Sequence, residues 1–220
     1  MPSSFDKYFS AEDMKRIEEA VRTAERDTSG EIVPYVVHLS DMYDEAMWRA
    51  GAALGACALT AFVLFHNFSA SWQPFEMMHL AFVTLGAGAI GALLARFSEP
   101  VRRLFAGRDV MDRRARQRAG EAFLTEEVFN TRDRTGILIF LSLLEHEVVI
   151  LGDSGINAKV KQEEWDGIVK TIVDGIRSGK PAEGLIDAIR QCGELLKREG
   201  VARKQDDSDE LPNTLRRSRT

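Results

Sequence analysis

The chain has 220 residues, a length that is enough for one medium domain with an appendage. Its formal net charge is −5 and its pI is near 5.5. The acidic balance argues against a dedicated nucleic-acid-binding protein, because such domains usually carry a net basic charge. The two cysteines, Cys57 and Cys192, are too few for a disulfide framework and fit a reducing compartment.

A helix and a strand are predicted before residue 45. Ser10 and Asp13 have the spacing of a capping box, with Asp as its last member, and predict the start of an amphipathic helix. The β-branched and aromatic run that follows predicts a strand over residues 31–40. Pro34 in this strand predicts an edge position or a local bulge, because proline cannot donate a hydrogen bond to a neighbouring strand.

An apolar block follows the first strand. Between residues 46 and 95 only Arg49 and Glu76 are charged, and two apolar stretches cover residues 46–65, with Arg49 near its start, and 77–95, with His79 near its start. Each would span roughly 30 Å at about 1.5 Å per residue, which is the thickness of a bilayer hydrocarbon core. Residues 46–96 are therefore predicted to form a transmembrane helical hairpin. The alternative is a helical hairpin buried in the core of a soluble protein.

The flanking charges predict the orientation of this hairpin. Residues 96–118 contain eight arginines and three acidic residues, whereas the loop between the two apolar stretches has no Lys or Arg. The positive-inside rule then places the loop outside and both termini in the cytoplasm, with a bacterial cytoplasmic (inner) membrane as the expected location. Trp48, Arg49, Trp72 and Arg96 are the expected interfacial anchors. The arginine cluster could also be a nucleic-acid patch, but we interpret it as a topology signal that touches anionic headgroups.

The second half of the chain predicts an alternation of helices and strands. The predicted elements are a helix over residues 110–129, a strand over 137–144, a returning strand over 148–151, a helix over 159–178 and a helix from Pro181 onward. The near-continuous apolarity of residues 137–144 indicates a strand that is buried on both faces.

This order of elements predicts an α/β fold, a layered α/β sandwich with a small mixed sheet, interrupted by the transmembrane hairpin. Residues 1–45 and 98–202 are expected to form one split domain, because neither piece is large enough to bury a core alone. Residues 203–220 are strongly polar and are predicted to form a disordered tail.

Several short sequence blocks follow one another along the chain: TSGEI at 28–32, RTGILIFLS at 134–142, VILGDSGI at 149–156, Trp165, Gly184-Leu185 and DELP at 209–212. This order resembles the TPM-domain family, and more closely its branch of bacterial membrane proteins with two mid-domain helices. The resemblance implies the split α/β fold and a membrane setting. Family members are similar to thylakoid-lumen proteins of photosystem repair, some with acid phosphatase activity and bound calcium, and to an animal receptor auxiliary protein.

Loops beyond the carboxyl ends of strands are the default ligand site of such a domain. The candidate residues in these loops are Asp153, Ser154 and Asn157, and Ser40, Asp41 and Asp44 after the first strand. Asp153 is the best candidate ligand for Ca²⁺ or Mg²⁺, because hard cations require oxygen ligands. Alternatively, Asp153 is a turn residue that stabilises residues 152–155 through Asx hydrogen bonds. Glu31, Arg132, Asp133 and Arg134 are expected at the opposite, amino-terminal edge.

No catalytic constellation is visible in the sequence. Residues 152–155 read GDSG, as around a serine-protease nucleophile, but the four histidines are scattered and show no HExxH spacing. Catalytic residues therefore stay unassigned. The sequence predicts a membrane-tethered module that binds a protein partner, with Ca²⁺ or Mg²⁺ as its candidate cofactor; the alternative is a metal-assisted phosphatase.

Overall fold

The structure is a computed structural model that describes residues 8–68, 77–201 and 211–218. The chain divides into two compact units, one formed by Met1–Ser40 with Arg113–Thr220 and the other by Asp41–Asp112. In chain order the elements are α1 (Ala11–Glu25), β1 (Ile32–Val37), α2 (Asp44–Phe68), α3 (Met77–Phe97), α4 (Glu99–Ala106), α5 (Arg108–Thr125), β2 (Ile137–Ser142), β3 (Glu147–Gly152), α6 (Ser154–Asn157), α7 (Gln162–Arg177), α8 (Pro181–Arg198) and β4 (Arg216–Ser218).

The first unit contains a mixed four-stranded sheet in the order β3-β2-β1-β4. β1 is parallel to both β2 and β4, whereas β2 and β3 form an antiparallel hairpin. The register pairs Ile137 with Ile32 on one side and with Gly152 on the other. This small mixed sheet within an α/β unit confirms the predicted fold class.

Helices cover both faces of the sheet and create two hydrophobic cores. One face packs against α1, α7 and α8 in a cluster that includes Ile137 and Trp165, and the other packs against α5 and includes Phe140. All six residues of β2 are buried, as their apolarity predicted. Burying one such aliphatic or aromatic side chain contributes about 1.5–3 kcal/mol, so β2 is a major source of stability for this unit.

The N-terminal helix begins as its sequence predicts. The Ser10 side chain accepts a hydrogen bond from the Asp13 backbone N–H at 3.1 Å, and Asp13 Oδ2 accepts one from the Ser10 N–H at 3.0 Å. This reciprocal pair satisfies two backbone donors that have no partner within the helix. The Asp in the last position therefore completes the capping box.

Pro34 predicted that β1 lies at the edge of the sheet, but β4 pairs with β1 on its outer side. β1 has neighbours on both sides, but β4 pairs only with Tyr35, Val36 and Val37. Pro34 lies just before this paired stretch. The strand therefore accommodates a residue without an N–H because its second neighbour begins one residue later.

The prediction of a disordered tail over residues 203–220 is wrong for the segment that forms β4. Residues 211–218 are described, and Leu215 packs against the core that contains α1 and α8. Arg216 Nη1 lies 3.0 Å from Glu126 Oε2, and both side chains are largely buried. Backbone pairing with β1 and the burial of Leu215 stabilise this polar segment, and neither contact can be deduced from local composition.

The second unit contains the two apolar helices, α2 and α3. Both are long and apolar enough to span a membrane, with mean hydropathies of 1.5 and 1.8, and only 11% of each apolar window is buried. Glycines allow the two backbones to approach closely: a Cβ on Gly91 would lie 2.6 Å from the Ala50 carbonyl oxygen, and one on Gly51 would lie 3.0 Å from the Gly88 oxygen. The low burial differs from that of a core helix in a soluble protein.

The arginine-rich segment after α3 forms two helices where the sequence predicted one. Gly107, at φ 86°, separates α4 from α5. Among the four predicted anchors, Trp48 and Arg96 are exposed, and Trp72 lies outside the described residues. Arg49 is exposed as well, and its guanidinium donates to the carbonyl oxygens of Phe105 and Ala106 at 3.2 and 3.1 Å. The anchor roles of these residues stay predictions.

Candidate functional site

Asp153 lies at the edge of the sheet where β1 and β2 begin. The sequence pattern predicted that Asp153 lies with the loop after β1 and that Arg134 lies at the opposite edge, and this prediction is wrong. β3 runs antiparallel to β2, so the carboxyl end of β3 lies beside the amino end of β2. The Asp153 N–H donates to the Gly136 oxygen, and the Gly155 N–H donates to the Arg134 oxygen, both at 2.9 Å.

The Asp153 side chain is only 5% exposed and has two close partners. Its Oδ1 accepts a hydrogen bond from the Ser154 N–H at 2.6 Å, so Asp153 is the N-cap of α6. Its Oδ2 lies 2.8 Å from Arg134 Nε in an ion pair that lacks hydrogen-bond alignment. The carboxylate thus links the β3–α6 turn to the segment that precedes β2.

Arg134 is held in an unusual backbone conformation beside this carboxylate. Its φ of 57° lies in the left-handed region, which non-glycine residues seldom adopt. The guanidinium carbon lies 5.8 Å from the centre of the Phe129 ring, within range of a cation–π interaction. About half of the Arg134 side chain is exposed, so a positive group is displayed at this edge of the sheet.

Two glycines allow the turns at this edge to interlock. A Cβ on Gly155 would lie 2.3 Å from the Asp133 oxygen, and a Cβ on Gly136 would lie 2.0 Å from the Val128 oxygen. Neither position has room for a side chain. The glycines in the sequence blocks RTG and GDSG therefore have a structural reason, which is the close approach of two backbone segments.

The described residues contain no group of three or more His, Cys, Asp or Glu side chains that could hold a metal ion. Ser154 follows Asp153 in the turn, and the Asn157 amide donates to the Gly152 oxygen at 2.8 Å. A cation bound to Asp153 would compete with the Arg134 guanidinium for the same carboxylate. The assignment of Asp153 as a Ca²⁺ or Mg²⁺ ligand stays a prediction.

A second polar cluster, which was not predicted from the sequence, lies at the opposite edge of the sheet. Glu145 is 7% exposed, and its Oε1 accepts a hydrogen bond from the Ser40 N–H at 2.7 Å. The Ser40 hydroxyl donates to Ser142 Oγ at 3.0 Å, and the Ser142 hydroxyl donates to Glu145 Oε2. These hydrogen bonds connect the segment after β1 to the turn between β2 and β3.

The two other candidate residues after β1, Asp41 and Asp44, belong to the second unit. Asp41 uses a carboxylate oxygen to accept a hydrogen bond from the Met42 N–H at 2.6 Å, and Asp44 begins α2. The sequence signal for the missed cluster was a spacing: Ser142 ends a buried strand, and Glu145 follows three residues later. That signal becomes informative only when β1 is known to lie beside β2.

The fold and these two sheet edges define a mixed α/β domain with helices on both faces, and the comparisons with known proteins agree with it. Residues 102–195 match the family model described as the TPM domain. The NMR structure of the BA42 protein from the psychrophilic bacterium Bizionia argentinensis has a similar fold, with a TM-score of 0.58, 22% identity and coverage of 99% of this chain and 100% of that chain. No curated protein sequence matches this chain significantly. The match of residues 102–195 to the TPM domain confirms the family resemblance seen in the sequence.

Proposed function

We propose that this protein is a TPM domain tethered to a membrane by α2 and α3, and that it acts as an accessory module for a partner protein at the bilayer surface. The observation that carries the proposal is the pair of long apolar helices whose apolar windows are only 11% buried. Exposed apolar surface costs roughly 25 cal/mol per Å² in water, and a hydrocarbon environment removes this cost. The helical backbone satisfies its own polar groups, as a bilayer requires.

The charges beside the hairpin support a cytoplasmic position for the domain. Residues 96–118 carry eight arginines and three acidic residues, and they extend from the end of α3 through α4 into α5. Such a cluster close to a membrane helix favours the cytoplasmic side. In the proposed arrangement both chain termini face the cytoplasm of a bacterium and the hairpin crosses the inner membrane.

The contacts of the buried carboxylates support binding more than catalysis. The Asp153 carboxylate accepts a hydrogen bond from the Ser154 N–H and forms an ion pair with Arg134. The Glu145 carboxylate accepts hydrogen bonds from the Ser40 N–H and the Ser142 hydroxyl. These partners stabilise turns at both edges of the sheet. A phosphatase, the activity implied by the family resemblance, would need a positioned nucleophile or an activated water together with a leaving-group acid.

Membrane insertion can be tested with the full chain in bacterial cells. After alkaline carbonate extraction, the protein should stay in the membrane pellet. Leu59→Arg combined with Leu85→Arg should release it, because each arginine near the middle of a span costs about 2.5–3.5 kcal/mol. Leu124→Arg is the matched control, since Leu124 is also exposed but belongs to the α/β unit. Release of the unmodified protein would contradict the proposal.

Orientation is tested with one added cysteine at a time in a Cys57→Ala background, in which the remaining Cys192 is buried. His66→Cys, near the end of α2, should react with an impermeant maleimide added to intact spheroplasts, whereas Asn130→Cys should react only after lysis. Both original side chains are at least partly exposed, so their accessibility differs mainly through the side of the membrane. The reverse pattern would overturn the cytoplasmic assignment.

The partner is sought at the exposed Arg134 edge by photocrosslinking in intact cells. A benzophenone amino acid replaces Arg134 in one variant and Glu163, an exposed residue on α7, in the control. We expect a discrete protein adduct from position 134 and none from position 163. The same adducts from both positions, or none from either, would contradict a partner site at this edge.

The cation and the alternative activity are tested together on purified full chain in lipid nanodiscs. A cation at 100 times its dissociation constant adds about 2.7 kcal/mol to stability, so Ca²⁺ or Mg²⁺ should raise the melting temperature. Asp153→Asn should abolish the rise, and Asp187→Asn, at an exposed position on α8, should retain it. Metal-dependent hydrolysis of a phosphate ester that is lost only in Asp153→Asn would replace the binding module with a phosphatase.

A further inference from the structure

Three large apolar side chains are exposed within the second unit near its arginine-rich end. Trp48 is 78% exposed, Phe97 is 80% exposed and Leu104 is 75% exposed. Trp48 lies near the start of α2, Phe97 ends α3 and Leu104 belongs to α4. Single exposed apolar residues are common, but these three lie in or beside helix ends that the proposed insertion brings to one bilayer surface.

α4 is fixed to the two apolar helices by arginine side chains. The Arg49 guanidinium, from α2, donates to the carbonyl oxygens of Phe105 and Ala106 at the end of α4. The Arg102 guanidinium, from α4, donates to the carbonyl oxygens of Ala95 (3.2 Å) and Arg96 at the end of α3. These bonds satisfy carbonyl groups that a helix end leaves without partners. α4 is therefore a fixed part of the hairpin end.

The outer surface of α4 combines apolar and cationic groups. Ala106 is buried, whereas Pro100 and Leu104, four residues apart, are both exposed and share one face of the helix. Arg103 is paired with Glu99 at 3.8 Å. Arg96 and Arg108 flank α4, are exposed, and have no ion-pair partner in the part of the chain that the structure describes. Two guanidinium groups thus remain available beside an exposed apolar face.

We propose that α4 is an interfacial helix that binds anionic lipid headgroups, with Leu104 among the upper acyl carbons and Arg96 and Arg108 on lipid phosphates. The proposal rests on the membrane insertion of α2 and α3 proposed above and adds the lipid class that the tether recognises. An amphipathic helix that lies in the plane of a membrane has its apolar face toward the acyl chains and its basic residues toward the headgroups. Guanidinium groups bind phosphate oxygens through paired hydrogen bonds.

The depth of Leu104 can be measured by electron paramagnetic resonance on the full chain in nanodiscs that contain phosphatidylglycerol and phosphatidylcholine. A nitroxide is attached to Leu104→Cys in a Cys57→Ala background, where the remaining Cys192 is buried. Collisions with oxygen should exceed those with a water-soluble nickel chelate. A label at Leu124→Cys, 64% exposed in the α/β unit, should show the opposite preference.

A third label separates this inference from the membrane proposal itself. Leu85→Cys lies within α3 and is 72% exposed, so its label should reside in the hydrocarbon. If the label at 85 contacts lipid but the label at 104 behaves like the one at 124, the interfacial helix is refuted and the tether stands. If the label at 85 contacts water, both proposals fail.

The anionic preference is tested with spin-labelled lipids. Phosphatidylglycerol should associate with the protein more strongly than phosphatidylcholine, and Arg96→Gln with Arg108→Gln should reduce this preference by about fivefold for each arginine removed. Arg177→Gln, an exposed position on α7, is the control and should leave the preference unchanged. Equal association of the two lipids with the unmodified protein would overturn the headgroup assignment.

Discussion

Gly136→Ala tests the backbone contact on which the Asp153 edge is built. A Cβ at this position would lie 2.0 Å from the Val128 carbonyl oxygen and 2.9 Å from Val128 Cγ1. Cβ contacts below 3.0 Å are essentially never found, so the two segments would have to separate by at least 1.0 Å. Val128 is fully buried in the core beside α5, and therefore the strain cannot be relieved by moving a side chain into solvent.

The expected cost is at the upper end of the range for overpacking a core, about 3 kcal/mol. For a protein of this size, such a loss corresponds to a fall of about 6–12 °C in the melting temperature. Separation of the segments would also strain the hydrogen bond from the Asp153 N–H to the Gly136 oxygen. Metal, lipid and partner proteins need not be present for the effect.

Cys192 provides an assay that reports on the α/β unit alone. Its side chain is fully buried, and burial raises the pKa of the thiol to about 12, so a maleimide should react only after local or global unfolding. In a Cys57→Ala background, the labelled fraction is measured as the temperature increases. The labelling midpoint should fall in Gly136→Ala.

Gly120→Ala is the matched control for this experiment. Gly120 lies within α5, and apart from its chain neighbours and the adjacent helix backbone nothing lies within 4 Å of the position that a Cβ would occupy, so alanine should be neutral or stabilise the helix by up to about 1 kcal/mol. Equal labelling midpoints for the two variants would refute the interlocking of the 128 and 136 segments.

In the second polar cluster, Glu145→Ala should lower the free energy of unfolding by about 3 kcal/mol, because it leaves the Ser40 N–H and the Ser142 hydroxyl without the carboxylate that accepts from them. Glu145→Gln should cost only about 1 kcal/mol, because the amide oxygen still accepts from the Ser40 N–H. Equal losses in urea titrations of the two variants would contradict this. Ser10→Ala should cost about 1 kcal/mol through loss of the N-cap. The hydrogen bond with the Ser10 side chain, the largest of several influences, lowers the pKa of Asp13 from its ordinary value of 3.8. The part of the capping contribution that depends on ionised Asp13 should therefore be present above that value and be lost as the pH falls through the lowered pKa, whereas the hydrogen bond from the Asp13 N–H to the Ser10 side chain does not titrate. A pH-independent difference between Ser10→Ala and the unmodified chain would exclude this coupling.

Local patterns were sufficient to predict the elements whose stability depends on neighbours in sequence. The capping box at Ser10 and Asp13 depends on residues three positions apart. The continuous apolar run of β2 indicated burial on both faces, since a strand with one solvated face would alternate polar and apolar residues. The approximate positions of α2 and α3 likewise followed from two long apolar stretches.

The candidate site could be predicted only in part. Asp153 and Arg134 were both identified from sequence, yet they were assigned to opposite edges of the sheet. Because β3 runs antiparallel to β2, Asp153 Oδ2 instead lies 2.8 Å from Arg134 Nε. Glu145 lies between the two strands predicted over residues 137–144 and 148–151 and was not among the predicted site residues. Its role depends on Ser40, more than a hundred residues away, because β1 and β2 are adjacent in the sheet.

Sequence by itself determined the amphipathic helix starts, the buried strand, the apolar hairpin and the family resemblance, because each depends on composition and short-range spacing. Tertiary structure alone decided the neighbour of each strand, the partner of each buried carboxylate and the pairing of β4 with β1. These contacts join residues distant in the chain. Their formation depends on the free energy of the complete packed arrangement, which no local pattern contains.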